Sequence, residues 1–356
     1  MAAMNVLITG ATVRIGRVLA RSLADVGLPV TIITRRPHRV FEAFGDTIQA
    51  CEWHPLSEAV PAAAMAGVDT IVHLMGDPLQ GRLTPARLKR LTASRVSSLN
   101  RLIAAVAGRP IRLIMASNIG IYPGMGARSC DADGEHSPLG GGKVPKPVTS
   151  ALQEVIADWE AAAQPLIDGG SAVAFVRLGA VICADGFPSA LLSLKARGLP
   201  LPLEPACSVP AISLQDAAAI FAWLVLNPGI AGAINAVAPV CLTGAAINDA
   251  LQPVARDRWP LPLFSGRPLR WLARRRLGIG ADLVCGDRRV APQRAIEGGF
   301  EFSHPDPAVP LRAAVAAQRR VIEEKRQTSF LSRMIKRGST TSQIKRSVTG
   351  RRQRRK

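Results

Sequence analysis

Tyrosine is nearly absent from this chain: Tyr122 is the single one in 356 residues, and aromatic residues of all kinds make up 4%. That scarcity decides a question of mechanism below. The six cysteines (Cys51, Cys130, Cys183, Cys207, Cys241, Cys285) lie far apart without a CxxC pair, and the five histidines are scattered. Such spacing offers no metal site, and a disulfide framework does not suit a chain this long and apolar. Reduced thiols in a cytoplasmic protein are therefore expected. Long apolar runs are missing as well. The strongest, Ala217–Leu226, stops at Asn227-Pro228-Gly229, short of the ~20 residues a bilayer span needs. No signal-peptide pattern is expected at the front, where strand-like Asn5–Thr9 begins almost at once.

Acid is missing from one region in particular. Of the net charge of +19, twelve Lys/Arg with no Asp or Glu fall within Lys325–Lys356, which leaves +7 on the rest. Ser, Thr and Gln fill the remainder of that segment, so a disordered basic tail is expected. Such a tail suits non-specific contact with nucleic acid or an anionic membrane. Phe330, Leu331, Met334 and Ile335 at helical spacing offer an apolar side to either.

Hydrophobic residues reach 48% against 20% charged, enough for a sizeable core. The length favours one large α/β unit with an appended lobe. Apolar strand-like runs at Val6–Thr9, Val30–Thr34, Thr70–Met75, Ile111–Ala116 and Ala172–Leu178 alternate with helical stretches at Ile15–Val26, Pro85–Ala107 and Ser150–Leu166. That rhythm predicts an α/β fold with a doubly wound parallel Rossmann sheet. After Leu178 it breaks into Pro/Gly-rich segments and short helices such as Leu214–Leu226 and Gly244–Val254. The expected organisation is a dinucleotide-binding domain at 1–178, a smaller C-terminal substrate lobe at 179–324 and the tail at 325–356.

The first strand runs into Gly10-Ala-Thr-Val-Arg-Ile-Gly16 and then a helix. Gly10 permits the tight turn, the helix N-terminus faces a pyrophosphate, and Gly16 lets helix and strand pack closely. Thr12, Val13, Arg14 and Ile15 complete the cofactor-binding turn. Val13 stands where a middle glycine would let the backbone approach the pyrophosphate, so its side chain costs space. The second strand ends in Arg35-Arg36, with no acid between Asp25 and Glu42. An acid there would hold the ribose 2′-hydroxyl of NAD, whereas arginines suit the 2′-phosphate of NADP. Arg14 is expected to add a third guanidinium.

Several further segments resemble one group: His73-Leu-Met-Gly-Asp-Pro78, Leu83–Arg87 with Ser94-Arg95-Val96, Ala116-Ser-Asn-Ile-Gly-Ile-Tyr122, Asp158–Ala162, Arg177-Leu-Gly179, and Arg289–Pro292 followed by Gly298–Phe302. In order and spacing they are similar to atypical extended short-chain dehydrogenase/reductases of the epimerase family with a C-terminal DUF1731-type region, over roughly residues 4–310. The resemblance implies a Rossmann fold, NADP binding, a further cofactor contact at Gly76 and a substrate pocket between lobes. It implies no known reaction.

Better-understood relatives use a Tyr-x-x-x-Lys pair, in which lysine lowers the tyrosine pKa for proton exchange. Here Gly126 stands four residues after Tyr122, and Ser150–Glu160 holds neither Tyr nor Lys. Ordinary short-chain dehydrogenase catalysis is excluded. Ser117 matches the family's substrate-binding serine, so Ser117 and Tyr122 are the candidate catalytic residues. The plain alternative is a satisfied loop serine and a half-buried tyrosine. Where relatives carry Trp-Ile-His-Ile-Asp-Asp, this chain has Ala211-Ile-Ser-Leu-Gln-Asp216, with Asp216 expected to cap a helix. Asp158-Trp159-Glu160 is expected to supply packing and surface charge. Lys143 and Lys146, in a Gly-rich insertion, would reach an anionic substrate or solvent. Two readings stand: an NADP-dependent, epimerase-like oxidoreductase acting on a small polar molecule, and a catalytically inactive dinucleotide-sensing or partner-binding pseudoenzyme. Nothing in the sequence indicates an oligomeric state.

Overall fold

The structure, a computed structural model, describes residues 4–12, 14–79, 84–122, 151–196, 201, 203–254 and 288–321. The five expected strand runs all enter one parallel sheet, which two further strands extend to seven. In chain order its members and covering helices begin with β1 (Val6–Thr9), α1 (Arg14–Asp25), β2 (Val30–Thr34), α2 (His38–Phe44) and β3 (Gln49–Glu52). They continue with α3 (Ala62–Met65), β4 (Thr70–His73), α4 (Pro85–Val106), β5 (Arg112–Asn118), α5 (Ala151–Ala161), α6 (Gln164–Asp168) and β6 (Ala172–Leu178).

The chain then leaves the sheet through β7 (Ala180–Ile182), α7 (Ser189–Lys195), β8 (Ser208–Val209), β9 (Ala211–Ser213) and α8 (Leu214–Leu226). It returns as β10 (Gly232–Ala236), pairing with β6 from Gly232↔Ala174 to Ala236↔Leu178. The main sheet thus takes in a strand from well beyond residue 178. After it come β11 (Leu242–Thr243), α9 (Gly244–Ala250), α10 (Gln293–Glu297) and a helix, α11, over residues 308–321.

Strand order is β10-β6-β5-β4-β1-β2-β3. The order reverses beside β1, and in open α/β sheets a crevice forms outside the strand ends at that point. The inner strands are apolar on both faces because helices cover both sides; β1 and β4 are buried at every position.

The helices start and stop where the residues dictate. Thr84 caps α4 by accepting from Arg87 N–H at 3.2 Å, with a proline in the first turn, and Ala107 ends the helix in the left-handed region. The end of α8 is capped from outside itself. Buried Arg112, on β5, donates to the carbonyls of Leu224 (2.8 Å), Asn227 (3.1 Å), Ile230 (2.9 Å) and Pro228. Its charge suits the negative end of a helix, although burial lowers its pKa. On the sheet edge, Arg294 of α10 donates to the β10-side carbonyls of Ala233 (2.6 Å) and Ala231 (2.8 Å).

Candidate functional site

Around the carboxyl ends of β4, β5 and β6 lies a cavity of about 440 Å³, closed on the far side by β7, Cys183–Pro188 and α7. That size suits a small ligand. Ile15, Leu74, Leu79, Val181, Phe187 and Leu191 make up much of the wall. Of the described wall, only Arg14, Asn118 and Cys183 bring polar side-chain atoms.

The turn from β1 into α1 borders this space. Gly10 has φ +75°, in the left-handed region, and a Cβ there would lie 3.0 Å from the Leu74 carbonyl carbon. A Cβ on Gly16 would lie 2.6 Å from Ala11 Cα and from Gly10 O. The approach at Gly16 is one that real side chains do not adopt, and at Gly10 a tight contact adds to a left-handed φ, so the backbone calls for glycine at each place. No acid stands in the first turn of α1, which leaves its positive end open to an anion. Thr12 sits half-buried in the turn and Ile15 on the cavity wall. Val13 lies outside the described residues. This cradle fits a dinucleotide pyrophosphate.

Arg35 and Arg36 follow β2 and are exposed. Among the described residues neither guanidinium has a hydrogen-bond or ion-pair partner. Across the strands Glu52 stands in register with Thr34, and its Oε1 lies 3.4 Å from His54 Nε2. Arg14 turns the other way. Its Nε donates to Asp185 Oδ1 at 2.8 Å and its Nη2 to Asp185 O at 2.6 Å, across the crevice from α1 to the turn after β7. That hydrogen bond raises the Arg14 pKa and lowers that of Asp185. Burial raises the Cys183 thiol beside them. The structure therefore gathers Arg35 and Arg36 at one place and sets Arg14 at another.

Gly76 follows β4, and a Cβ on it would lie 2.9 Å from Arg95 Cζ. Arg95 supports this loop from beneath: Nη2 donates to Asp77 O at 2.8 Å, and the guanidinium stacks 4.8 Å from the Trp159 ring. Burial brings its pKa down to about 10. His73, deeper still, lies 2.8 Å from Thr9 Oγ1 and 3.3 Å from Ser98 Oγ. Burial and the nearby Arg95 charge lower its pKa to about 3, so the ring is neutral.

Strand alternation divides the end of β5. Ala116 and Asn118 line the cavity. Ser117, between them, is buried, and its Oγ donates to Glu160 Oε1 at 2.5 Å. Arg177 of β6 clasps the same carboxylate, with Nε at 2.9 Å from Oε1 and Nη2 at 2.7 Å from Oε2. Its Nη1 donates to Tyr122 OH at 3.0 Å, and that hydroxyl donates to Asn235 Oδ1 at 2.8 Å. Asn235 Nδ2 in turn donates to Ala291 O at 3.2 Å. Ser117 and Tyr122 are thus brought together in one buried network, and neither is part of the cavity wall. Glu160, read from sequence as packing and surface charge, is 1% exposed: it is a buried ion-pair partner, because α5 presents it to β6.

Asn118 escaped the sequence reading, although the period of two along the strand points to it once Ser117 is known to face α5. Its Oδ1 accepts from Gly120 N–H at 2.8 Å. Among the described residues its amide NH₂ has no partner. Asp216 also has a different role from the expected cap. Ser213 caps α8, accepting from Asp216 N–H at 2.9 Å. The Asp216 carboxylate is buried and accepts from Ser303 N–H (2.8 Å), His304 N–H (3.0 Å) and Ser213 Oγ (2.9 Å). Gly126, Lys143, Lys146 and the basic segment 325–356 lie outside the described residues. Among the described residues no group of three His, Cys, Asp or Glu could hold a metal, and no helix is long and apolar enough to cross a membrane.

Residues 6–144 match the NAD dependent epimerase/dehydratase family, and residues 270–314 match a domain of unknown function, DUF1731. Over 320 residues the chain is 28% identical to the "Epimerase family protein SDR39U1 homolog, chloroplastic" of Arabidopsis thaliana, covering 85% of this chain and 84% of that one. Over 325 residues it is 26% identical to the epimerase family protein YfhF of Bacillus subtilis, covering 89% and 100%. The fold is shared with human epimerase family protein SDR39U1, solved with NADPH, at TM-score 0.66 and 23% identity over 88% of this chain and 99% of that one. It is also shared with MoeE5 in complex with UDP-glucuronic acid and NAD, at TM-score 0.61 and 19% identity over 91% and 99%.

Proposed function

We infer that this chain, which belongs to the NAD dependent epimerase/dehydratase family and carries a DUF1731 C-terminal domain, binds NADP(H) in preference to NAD(H) and acts on a small molecule as an oxidoreductase without the Tyr-x-x-x-Lys pair. The observation that carries the cofactor preference is the end of β2, where Arg35 and Arg36 stand exposed, their guanidinium groups without an ion-pair partner among the described residues. Gly10, Thr12, Ile15 and Gly16 would hold the pyrophosphate side, and the chain at Gly76 would border it. Bound there, the dinucleotide supplies hydride transfer. The chain's own part is to shape the crevice and to offer the Asn118 amide as a donor. Ser117 and Tyr122 serve as positioning residues, fixing the end of β5 through Glu160 and Arg177.

A second reading has its own support. No described wall residue is suited to exchange a proton near neutral pH, since burial raises Cys183 and the Asp185 hydrogen bond raises Arg14. A dinucleotide-sensing protein without turnover fits that wall equally well. Nicotinamide-fluorescence titration tests the shared premise: NADPH should bind more tightly than NADH, and equal affinities would overturn it. Hydride transfer to any member of a metabolite panel then selects the first reading, and its absence across the panel the second.

A further inference from the structure

Beside the β1–α1 turn, assigned above to a pyrophosphate, the chain already places an anion of its own. Arg14 stands in the first turn of α1, which holds no acid. Asp185 comes to it from 171 positions away, out of the turn between β7 and α7. Arg14 Nε donates to Asp185 Oδ1 at 2.8 Å, and Nη2 donates to Asp185 O at 2.6 Å. Gly186 makes room for the approach: a Cβ there would run into Cys183 Sγ and lie 3.7 Å from Arg14 Nε. The result is a strap across the one cavity, whose wall takes Arg14 and Ile15 from one side and Cys183, Gly186 and Phe187 from the other.

A carboxylate brought to the positive end of a helix stands where a phosphate would bind. Two anions repel, so a carboxylate and a pyrophosphate do not share one guanidinium at close range. The strap is the weaker of the two. Its side chains are 43% and 77% exposed, and an ion pair so open to water resists opening only slightly. A pyrophosphate carries more charge and would meet N–H groups at the start of α1 as well. We propose that Asp185 is a built-in rival of the cofactor's pyrophosphate: it competes for Arg14, and a seated dinucleotide displaces it and unfastens the β7–α7 turn from α1. Cofactor binding is thereby relayed to the wall that carries Phe187 and Leu191. This deepens the reading above and rests on it, but it is indifferent to which dinucleotide binds, since NADP, NAD and ADP-ribose share the pyrophosphate.

The test is calorimetric titration of the full chain and its variants with NADPH, NADH and ADP-ribose. Asp185→Asn removes the charge at an exposed position, where the fold does not depend on it. It should tighten all three ligands alike, by about fivefold. Arg14→Gln should weaken all three about tenfold. In the double variant the gain from Asp185→Asn should shrink to under about twofold, because it acts through Arg14. Hydrogen exchange supplies a readout besides affinity: NADPH should slow exchange at residues 10–16 and quicken it at residues 183–187. Weaker or unchanged binding by Asp185→Asn would overturn the proposal, and so would slowed exchange at both segments, the mark of a clasp that stays shut over the cofactor. Equal native affinities for NADPH and NADH would defeat the Arg35 and Arg36 preference and leave the strap standing. No binding of any of the three by the native chain or by Asp185→Asn would overturn the cofactor reading itself, and the proposal with it.

Discussion

Glu160→Gln removes the charge from one side of an ion pair whose two side chains are both fully buried. The Glu160 carboxylate receives donors from Arg177 Nε, Arg177 Nη2 and Ser117 Oγ. Glutamine keeps one acceptor oxygen and turns an NH₂ toward a neighbour that can only donate. Arg177 cannot relieve the loss by giving up its proton, because a guanidinium stays protonated in proteins; the variant also removes the hydrogen bonds and charge of Glu160 that in the native chain outweigh the pull of burial on its pKa. A buried guanidinium without its counter-charge should cost about 3–5 kcal/mol, a large share of the ~5–15 kcal/mol that holds a domain folded. With a urea m-value of roughly 3 kcal/mol/M, the midpoint should fall by about 1–1.7 M, read by tryptophan fluorescence and circular dichroism together. Glu160→Leu combined with Arg177→Met should recover much of that loss, since a packed apolar pair can replace a buried ionic one. Ser117→Ala, which removes one donor and leaves the bidentate clasp, should cost only about 1–2 kcal/mol. A loss below about 1 kcal/mol for Glu160→Gln, or a double variant no more stable than the single one, would refute the reasoning.

Replacing both Arg35 and Arg36 with alanine should weaken NADPH far more than NADH, by about 1.5–3 kcal/mol for each charge-assisted hydrogen bond to the 2′-phosphate that disappears; equal losses in paired titrations would count against a 2′-phosphate site. Neutral, buried His73, with its pKa lowered from 6.5 to about 3, gives a pH prediction. The unfolded chain takes up a proton that the folded chain refuses between those values, so this contribution is whole above pH ~6.5 and falls by roughly 1.4 kcal/mol per unit toward pH ~3. His73→Asn should flatten that part of the stability profile, and identical slopes for the two proteins between pH 6 and 4 would exclude it. We also propose that Lys325–Lys356, with twelve cations and no acid, contacts nucleic acid or anionic lipid. Truncation after Glu324 should abolish salt-sensitive retention on heparin and leave NADPH affinity unchanged; unaltered retention would place the basic surface elsewhere.

The sheet was legible because its inner strands are continuous apolar runs and its helices carry their own punctuation: α8 keeps the bounds Leu214–Leu226 read from the residues alone. The elements that escaped are those whose burial comes from partners. β3 is a short edge strand, Gln-Ala-Cys-Glu, without an apolar stripe, and β10 is small-residue backbone that becomes a strand by pairing with β6. Gly10 and Gly16 were readable because a tight turn and a close helix–strand approach are local backbone needs, whereas Gly76 came only from the resemblance and is constrained by the Arg95 side chain. The division of roles around the crevice was not. Ser117 and Asn118 are adjacent in sequence and face opposite ways, and only the packing of α5 says which side is which. Glu160 meets Arg177 across 17 positions, and Asp216 meets Ser303 and His304 across 87 and 88; such separations leave no periodic mark.

The contacts of Asp216 bear on how this chain can vary through descent. Its buried carboxylate holds the far C-terminal segment by backbone N–H groups, and Arg294 and Asn235 likewise meet backbone carbonyls. A cut between β10 and residue 288 would leave on the first piece both a buried carboxylate without its N–H donors and a sheet edge without Arg294. At Ser303 and Ala291 the clasp meets peptide groups, which are the same in every sequence, whereas at Arg294 the C-terminal segment supplies the side chain itself. Substitution of Ser303 or Ala291 should therefore leave the join in place, while Arg294→Ala should open the β10 edge.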